Sequence, residues 1–258
     1  MAPGHVKPNK TVLVTGGARR IGRAIVEGLA DARFSVGIHA NASIEDAEAL
    51  AAELRARGTR AVAFCADLRD ENAARNLIRT ANAELGGLGL LINNASIFEK
   101  DSLTDFSREQ WDKHFDIHVR APSILVSEFA NMLPADQRGL VVNIIDQRVW
   151  APTPGFYTYT LSKAALYMAT KTMAMSLAPR IRVNGIGPGP TLANERQSPE
   201  DFARQSGAVM LGKGPDLDEF ARTIVYFYET PSVTGQMIAI DGGQHLAWET
   251  PDVTGFAE

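Results

Sequence analysis

The feature that most limits how this chain can fold is a repeated alternation of short apolar runs with amphipathic stretches. Residues 11–15, Thr-Val-Leu-Val-Thr, form a β-branched run that ends in Gly16-Gly17, and Ile21, Ala24, Ile25, Gly28 and Leu29 then recur on one helical face. Residues 35–39 read as the next strand, and Ser43 is placed to cap a helix that runs to Arg57 and stops at Gly58. A strand at 61–65, a helix at 71–85 stopped by Gly86-Gly87, and a strand at 88–92 follow. One long helix is expected over 107–132, then a strand at 140–145, a helix at 159–177, and strands at 182–186 and 237–240. The strand runs are continuously apolar, as in a parallel sheet covered on both faces. The chain therefore reads as one doubly wound α/β domain over 1–258, with about seven parallel strands and right-handed crossovers. Residues 187–215, rich in Gly, Pro, Ser and Asn, are the one long irregular stretch, a length that suggests a lid.

Composition narrows the function classes. A chain of 258 residues, 45% hydrophobic and 22% charged, buries a full core and is too apolar for disorder. The single cysteine, Cys65, rules out a disulfide framework, and its apolar strand suggests a packed thiol rather than a reactive one. A net charge of −4 argues against a nucleic-acid partner. No apolar run approaches the roughly 20 residues that span a bilayer, and residues 1–8 lack the apolar core of a signal peptide. A cytoplasmic protein acting on a small molecule, with no membrane partner, is expected.

The first strand–helix junction reads Thr15-Gly16-Gly17-Ala18-Arg19-Arg20-Ile21-Gly22. Glycine lets the backbone approach a pyrophosphate, and the helix N-terminus offers unpaired N–H groups. Further along, Tyr159-Thr160-Leu161-Ser162-Lys163 places a phenol and an ammonium four residues apart on one helix face. A free phenol ionises near pH 10. A neighbouring ammonium favours the phenolate, so a lowered Tyr159 pKa is expected. These two motifs, with Asn93-Asn94-Ala95 and Gly187-Pro188-Gly189 after the fourth and sixth strands, resemble the short-chain dehydrogenase/reductase family from about Lys10 to Gly243.

The resemblance implies a Rossmann-like fold, a nicotinamide cofactor, and Tyr159 and Lys163 as proton donor and its tuner. It places the cofactor against Gly16, Arg19, Arg20 and Ile21 in the glycine loop, and against Asn41 and Ser43 after the second strand. Asp67-Leu68 would hold the adenine, Asn94-Ala95, Pro188 and Gly189 would also touch the cofactor, Thr191 would set a hydroxyl near its phosphates, and Tyr159 and Lys163 would be in contact too. NADPH is expected, because residues 39–43 contain no acid to bind a ribose 2′-hydroxyl, while Arg19 suits a 2′-phosphate.

Four departures select a branch. Asp146 stands thirteen residues before Tyr159, where the family has a serine that donates to a substrate carbonyl. An ionised aspartate only accepts. Arg20 replaces the middle glycine, Ser96 and Phe98 follow the Asn-Asn-Ala turn, and Thr191 follows Gly187-Pro188-Gly189-Pro190. Together these resemble the pteridine reductase branch, which includes bacterial dihydromonapterin reductases. That likeness implies a dihydropterin (dihydromonapterin, dihydrobiopterin or dihydrofolate) bound by Arg20, Ser96, Phe98, Asp146 and Tyr159, and a homotetramer. The alternatives are a carbonyl reductase for a 3-oxoacyl or sugar ketone, and a nucleotide-binding regulator without catalysis. His118 takes the place of a family asparagine and is a supporting residue. His114 and His118 have the spacing of a zinc helix but lack its glutamate and a third ligand, so no metal is expected. Met168, Met173 and Met175 are expected to pack in an interface or core, and Trp150 to stand at the pocket mouth or on the plain surface.

Overall fold

The computed structural model describes residues 7–194, 196–250 and 254. Residues 1–6, on which the expectation of no signal peptide falls, and Glu195 of the expected lid lie outside the described residues, as does most of the carboxy-terminal tail. Seven strands form, at Thr11–Val14 (β1), Ser35–Ala40 (β2), Ala61–Cys65 (β3), Leu90–Asn93 (β4), Gly139–Ile144 (β5), Ile181–Pro188 (β6) and Met237–Ile240 (β7). They pair in parallel in the order β3-β2-β1-β4-β5-β6-β7. Helices connect them at Arg20–Asp31 (α1), Ile44–Ala56 (α2), Glu71–Leu85 (α3), Arg108–Phe115 (α4), Ala121–Met132 (α5), Tyr157–Leu177 (α6), Pro199–Gly207 (α7) and Asp218–Glu229 (α8).

The continuous apolar runs have the cause inferred above. Val12 and Val14 pack on one side of the sheet with Ile25 and Leu29 of α1 and Phe220 and Phe227 of α8. Leu13 faces the other side, against Leu77 and Ile78 of α3 and Phe129 of α5. Full burial of one such side chain contributes about 1.5–3 kcal/mol. α1 and α8 approach so closely that a Cβ on Gly28 would stand 2.4 Å from that of Ala221. The chain winds outward from β1 in one direction through β2 and in the other through β4. A crevice therefore opens at the carboxyl ends of β1 and β4, where such folds bind ligands.

Several sequence expectations need correction. The helix expected over 107–132 is two helices joined by a π-helical turn, Asp116–Arg120. Pro122 has no N–H to donate, and just before it the Ala121 N–H reaches back to the Asp116 carbonyl, widening the ladder. The stretch 187–215 is not wholly irregular: Ser198 caps α7 by accepting from the Asp201 N–H at 3.0 Å, with Pro199 in its first turn. Helix α8, unread in the sequence, buries Phe220, Ile224 and Phe227. Ser43 sits at the N-cap of α2 but makes no side-chain capping bond. Cys65 is exposed rather than packed, because it ends the edge strand β3, where its thiol donates to the Asn41 carbonyl at 3.3 Å. Met173 packs on the core, while Met168 and Met175 of α6 are exposed. Among the described residues no helix is long and apolar enough to cross a membrane.

Candidate active site

The turn after β1 builds the first half of the site. The Thr15 hydroxyl accepts from the N–H groups of Asn94 (2.9 Å) and Ala95 (3.0 Å), tying this turn to the one after β4. The Asn94 amide donates in return to the carbonyls of Thr15 (2.9 Å) and Gly16 (3.0 Å). Gly22 admits no side chain, since a Cβ would stand 2.0 Å from the Gly16 carbonyl oxygen. Buried His39 supports the loop from β2, accepting from the Gly16 N–H at Nδ1 (3.2 Å) and donating from Nε2 to the Ala66 carbonyl (3.0 Å). Burial pushes its pKa below the usual imidazole value.

Arg19 begins α1 with no side-chain capping bond, and the first turn carries no acidic residue. In α3, α4 and α7 the side chains of Asp70, Ser107 and Ser198 fill that place. The first N–H groups of α1 are thus left for an outside acceptor, which fits the phosphates of a dinucleotide. Arg20 keeps the left-handed backbone that a glycine would take, with φ +54°. This conformation costs a side-chain-bearing residue about 1–2 kcal/mol. Its guanidinium donates to the carbonyls of Ala193 (2.9 Å) and Leu192 (3.4 Å), tying the loop to the segment beyond β6. Arg19 is ion-paired with Asp46 in the first turn of α2, so its charge is partly answered within the chain. Asn41 and Ser43 lie in the β2–α2 turn beside this pair. Leu68 is buried, and the Asp67 carboxylate is held by Arg69 at 2.7 Å, which keeps its pKa below the ordinary value.

Helix α6 supplies the second half. The Tyr159 hydroxyl donates to Asp146 Oδ2 at 2.8 Å, and Asp146 Oδ1 accepts from the Arg148 N–H at 2.8 Å. Lys163 Nζ donates to the Ile144 carbonyl at 2.9 Å and stands 5.7 Å from the centre of the Tyr159 ring. The chain's own groups act against the expected lowering of the Tyr159 pKa, a lowering that a cationic nicotinamide ring would share with Lys163. Burial, and then the Asp146 carboxylate that accepts its proton, push the phenol well above its ordinary value. Burial brings Lys163 down to about 8, against the opposing pull of Asp146. Beneath this pair, Asn93 donates to Asn143 (2.8 Å) and Asn143 to Thr170 (2.8 Å), joining β4, β5 and α6 through buried side chains.

Between the two halves lies a cleft of about 820 Å³, lined by Arg20, Ile21, Ser96, Phe98, Asp146, Tyr159, Lys163 and the segment beyond Pro188. Phe98 stacks on Phe156, with centroids 4.3 Å apart and planes 7° from parallel, and meets Tyr159 edge-on at 4.7 Å. The guanidiniums of Arg148 and Arg196 approach the Phe98 ring at 5.4 and 5.6 Å. Ser96 bonds to His118 Nε2 at 2.8 Å. Gly189 donates to the Ile240 carbonyl at 3.1 Å, and the Thr191 hydroxyl turns back to the Gly189 carbonyl at 3.0 Å. Trp150 is partly exposed against His245, with centroids 5.0 Å apart.

The fold thus brings Arg20, Ser96, Phe98, Asp146, Tyr159, Lys163 and Thr191 to one cleft, with Asn94, Pro188 and Gly189. Asp67 and Leu68 lie outside its lining, at the end of β3. His39, Arg148, Phe156 and Arg196 escaped the sequence reading, and Thr15 was read in the glycine motif without its role in joining the two turns. For Thr15 a signal existed, a hydroxyl at the strand end beside the glycines. Arg148, Phe156 and Arg196 stand in loops or short turns with no pattern to mark them.

Known proteins share this fold and much of this sequence. FolM alternative dihydrofolate reductase 1 from Brucella canis, crystallised with NADP, is 53% identical, with a TM-score of 0.94, covering 98% of this chain and 100% of that one. A blue fluorescent protein from a metagenomic library, solved with NADPH, is 30% identical with a TM-score of 0.84, covering 92% and 98%. The 3-oxoacyl-[acyl-carrier-protein] reductase FabG of Staphylococcus aureus is 27% identical over 93% of this chain and 100% of its own length. The family model for short chain dehydrogenases matches residues 10–202, and with the glycine loop, the Tyr159–Lys163 pair and the parallel sheet in place, this chain belongs to the short-chain dehydrogenase/reductase family.

Proposed function

We propose that the protein is an NADPH-dependent reductase that reduces a C=N bond of a dihydropterin. The observation that carries this reading is the Tyr159–Asp146 hydrogen bond. A carboxylate in that place cannot donate to a substrate carbonyl, but it holds the phenol proton on Tyr159 Oη until a basic ring nitrogen arrives. Tyr159 Oη then passes that proton to the nitrogen, and the Lys163 ammonium offsets the phenolate charge left behind. NADPH, when bound, supplies the hydride. The open N–H groups of α1 and the Arg19 guanidinium would receive its phosphates, and Lys163 its ribose. The neighbours solved with NADP and NADPH support that cofactor.

Phe98, braced by Phe156, offers a flat face for a pterin, and Ser96 and Arg20 offer polar partners for its edge. Arg148 and Arg196 take part in no ion pair among the described residues, and Arg148 Nη1 is buried without a partner. Two cations beside the ring platform with no ion pair among the described residues favour a substrate with an anionic tail, so dihydrofolate ranks above the neutral dihydropterins. The Brucella neighbour's name is in keeping with that ranking. The segment 187–215 acts as the substrate lid, tied down by Arg20, and the assembly is a homotetramer.

A second reading is reduction of a 3-oxoacyl ketone, the activity that the Staphylococcus relative is named for. The missing hydroxyl donor at Asp146 opposes it. NADPH consumption with dihydrofolate, dihydromonapterin, dihydrobiopterin and a 3-oxoacyl thioester separates the two. Turnover of the thioester alone overturns the pterin reading, and no turnover at all favours a regulator.

A further inference from the structure

Two parallel chains of hydrogen bonds join the turn after β4 to helix α6, and of their side chains only Ser96 is also placed against the substrate above. In one, the Glu99 N–H donates to His114 Nε2 (3.4 Å), His114 Nδ1 donates to the Thr158 hydroxyl (2.7 Å), and that hydroxyl donates to buried Asp101. In the other, the Ile97 N–H (3.2 Å) and the Ser96 hydroxyl (2.8 Å) donate to His118 Nε2. His118 Nδ1 donates to the Ser162 hydroxyl (2.8 Å), which donates to the Tyr159 carbonyl (2.7 Å). A backbone N–H can only donate, so both Nε2 atoms are acceptors and both rings are neutral with the proton on Nδ1.

The placement of these chains is specific. On the loop their ends, Ile97 and Glu99, stand on either side of Phe98. On the helix their ends, Thr158 and Ser162, bracket Tyr159. The two imidazoles are fully buried and stacked, 5.7 Å apart with planes 14° from parallel, and both meet the Tyr159 ring edge-on, at 5.9 and 5.3 Å. The π-helical turn that carries His118 is itself a departure from regular helix of the kind that gathers at functional sites.

We propose that His114 and His118 are positioning residues, a two-imidazole clamp that sets the spacing between Phe98 on the loop and Tyr159 on the helix. The clamp rests on the reading of Phe98 as the ring platform and Tyr159 as the proton donor. Imidazole suits the task because one rigid ring offers an acceptor at one corner and a donor at another. A shorter amide reaches only the helix side. Protonation at Nε2 would set N–H against N–H and release the loop. Lys163, Lys113, Asp101 and Glu99 face His114, and Lys163 and His114 face His118. Burial, joined by the Lys163 ammonium, keeps both rings below the usual imidazole pKa, His118 well below it.

Imidazole ¹⁵N NMR on the whole protein and kinetics of His118→Asn and His118→Gln test the clamp. The Nδ1–H tautomer is expected for both rings between about pH 6 and 8. His118→Asn, which keeps the bond to Ser162 and loses those to the loop, is expected to raise the KM for dihydropterin about tenfold. NADPH affinity should hold, and His118→Gln, long enough to reach the loop, should recover part of the loss. An Nε2–H tautomer overturns the clamp, as does an unchanged dihydropterin KM in folded His118→Asn. Equal losses of pterin and NADPH affinity also overturn it, since they mark general packing damage. Should His118→Asn fail to fold, Ser162→Ala probes the helix end of the same chain, with a raised dihydropterin KM expected and an unchanged one refuting. Wild-type enzyme that turns over no dihydropterin refutes the substrate reading, while the tautomer still decides whether the clamp exists.

Discussion

Replacing Lys163 by methionine should stabilise the apoprotein while removing its activity. Burial lowers the Lys163 pKa from 10.5 to about 8. At 1.36 kcal/mol per pH unit, the buried ammonium costs the fold about 3 kcal/mol. The sign follows from linkage. Below about pH 8 the group is charged in both folded and unfolded chains, and the full cost is present. As the pH climbs from about 8 towards 10.5, the native state loses its proton first and the cost fades. Methionine keeps most of the stem's packing, but it leaves the Ile144 carbonyl without its 2.9 Å donor, a loss of about 1 kcal/mol. The net gain at pH 7 is about 2 kcal/mol, or roughly 4–8 °C in Tm for a chain of this size. Scanning calorimetry of wild type and Lys163→Met at pH 7 and at pH 10, with turnover measured alongside, checks both halves. Turnover should fall at least about a hundredfold. A variant less stable than wild type at pH 7, or a gain undiminished at pH 10, would refute the reasoning.

Other expectations follow from the same contacts. Asp146→Ser removes the acceptor that holds the phenol proton, so the Tyr159 pKa should fall and pterin turnover drop by about a hundredfold. Unchanged turnover would show that Asp146 has no part in the proton's path. Arg20→Gly relieves a left-handed backbone worth about 1–2 kcal/mol but cuts the ties to Leu192 and Ala193. Its Tm should be unchanged or higher while the substrate KM rises, and a lowered Tm with normal KM would contradict the lid tie. Arg19→Ala should narrow the preference for NADPH over NADH in the two KM values, and Asp46→Asn, which frees Arg19 from its partner, should widen it. Arg196→Gln should weaken dihydrofolate more than dihydrobiopterin, and equal weakening would remove the case for an anionic tail.

Much of the fold was legible because its cause is local. A strand buried on both faces is apolar along most of its length, so β1, β4 and β5 announce themselves, and Gly16, Gly58 and Gly86 mark nearby turns. The 107–132 region misled because an apolar helical pattern does not register a widened turn. Only Pro122 hinted at the break. Helix α7 carried legible signals in Ser198, Pro199 and Glu200, but its few apolar residues and the surrounding glycines and prolines masked them. In the site, the Tyr159–Lys163 spacing and the aspartate at 146 were readable as a pattern, yet the direction of the Tyr159 pKa was not. It depends on whether the hydroxyl faces Lys163 or Asp146, a three-dimensional choice made where β5 ends and α6 begins. The roles of Arg148, Phe156 and His114 likewise arise only when loops distant in sequence meet around Phe98.

The central claim, hydride transfer to a dihydropterin ring carbon, is tested most directly by competition in one reaction. Enzyme and NADPH carrying deuterium at the reactive C4 position are mixed with equal concentrations of dihydrofolate and a 3-oxoacyl thioester, and the products are read by NMR and mass spectrometry. The expected result is deuterium on a ring carbon of tetrahydrofolate, with the thioester essentially unreduced. Deuterium on the hydroxyl-bearing carbon of a 3-hydroxyacyl product, with the pterin unlabelled, would contradict it.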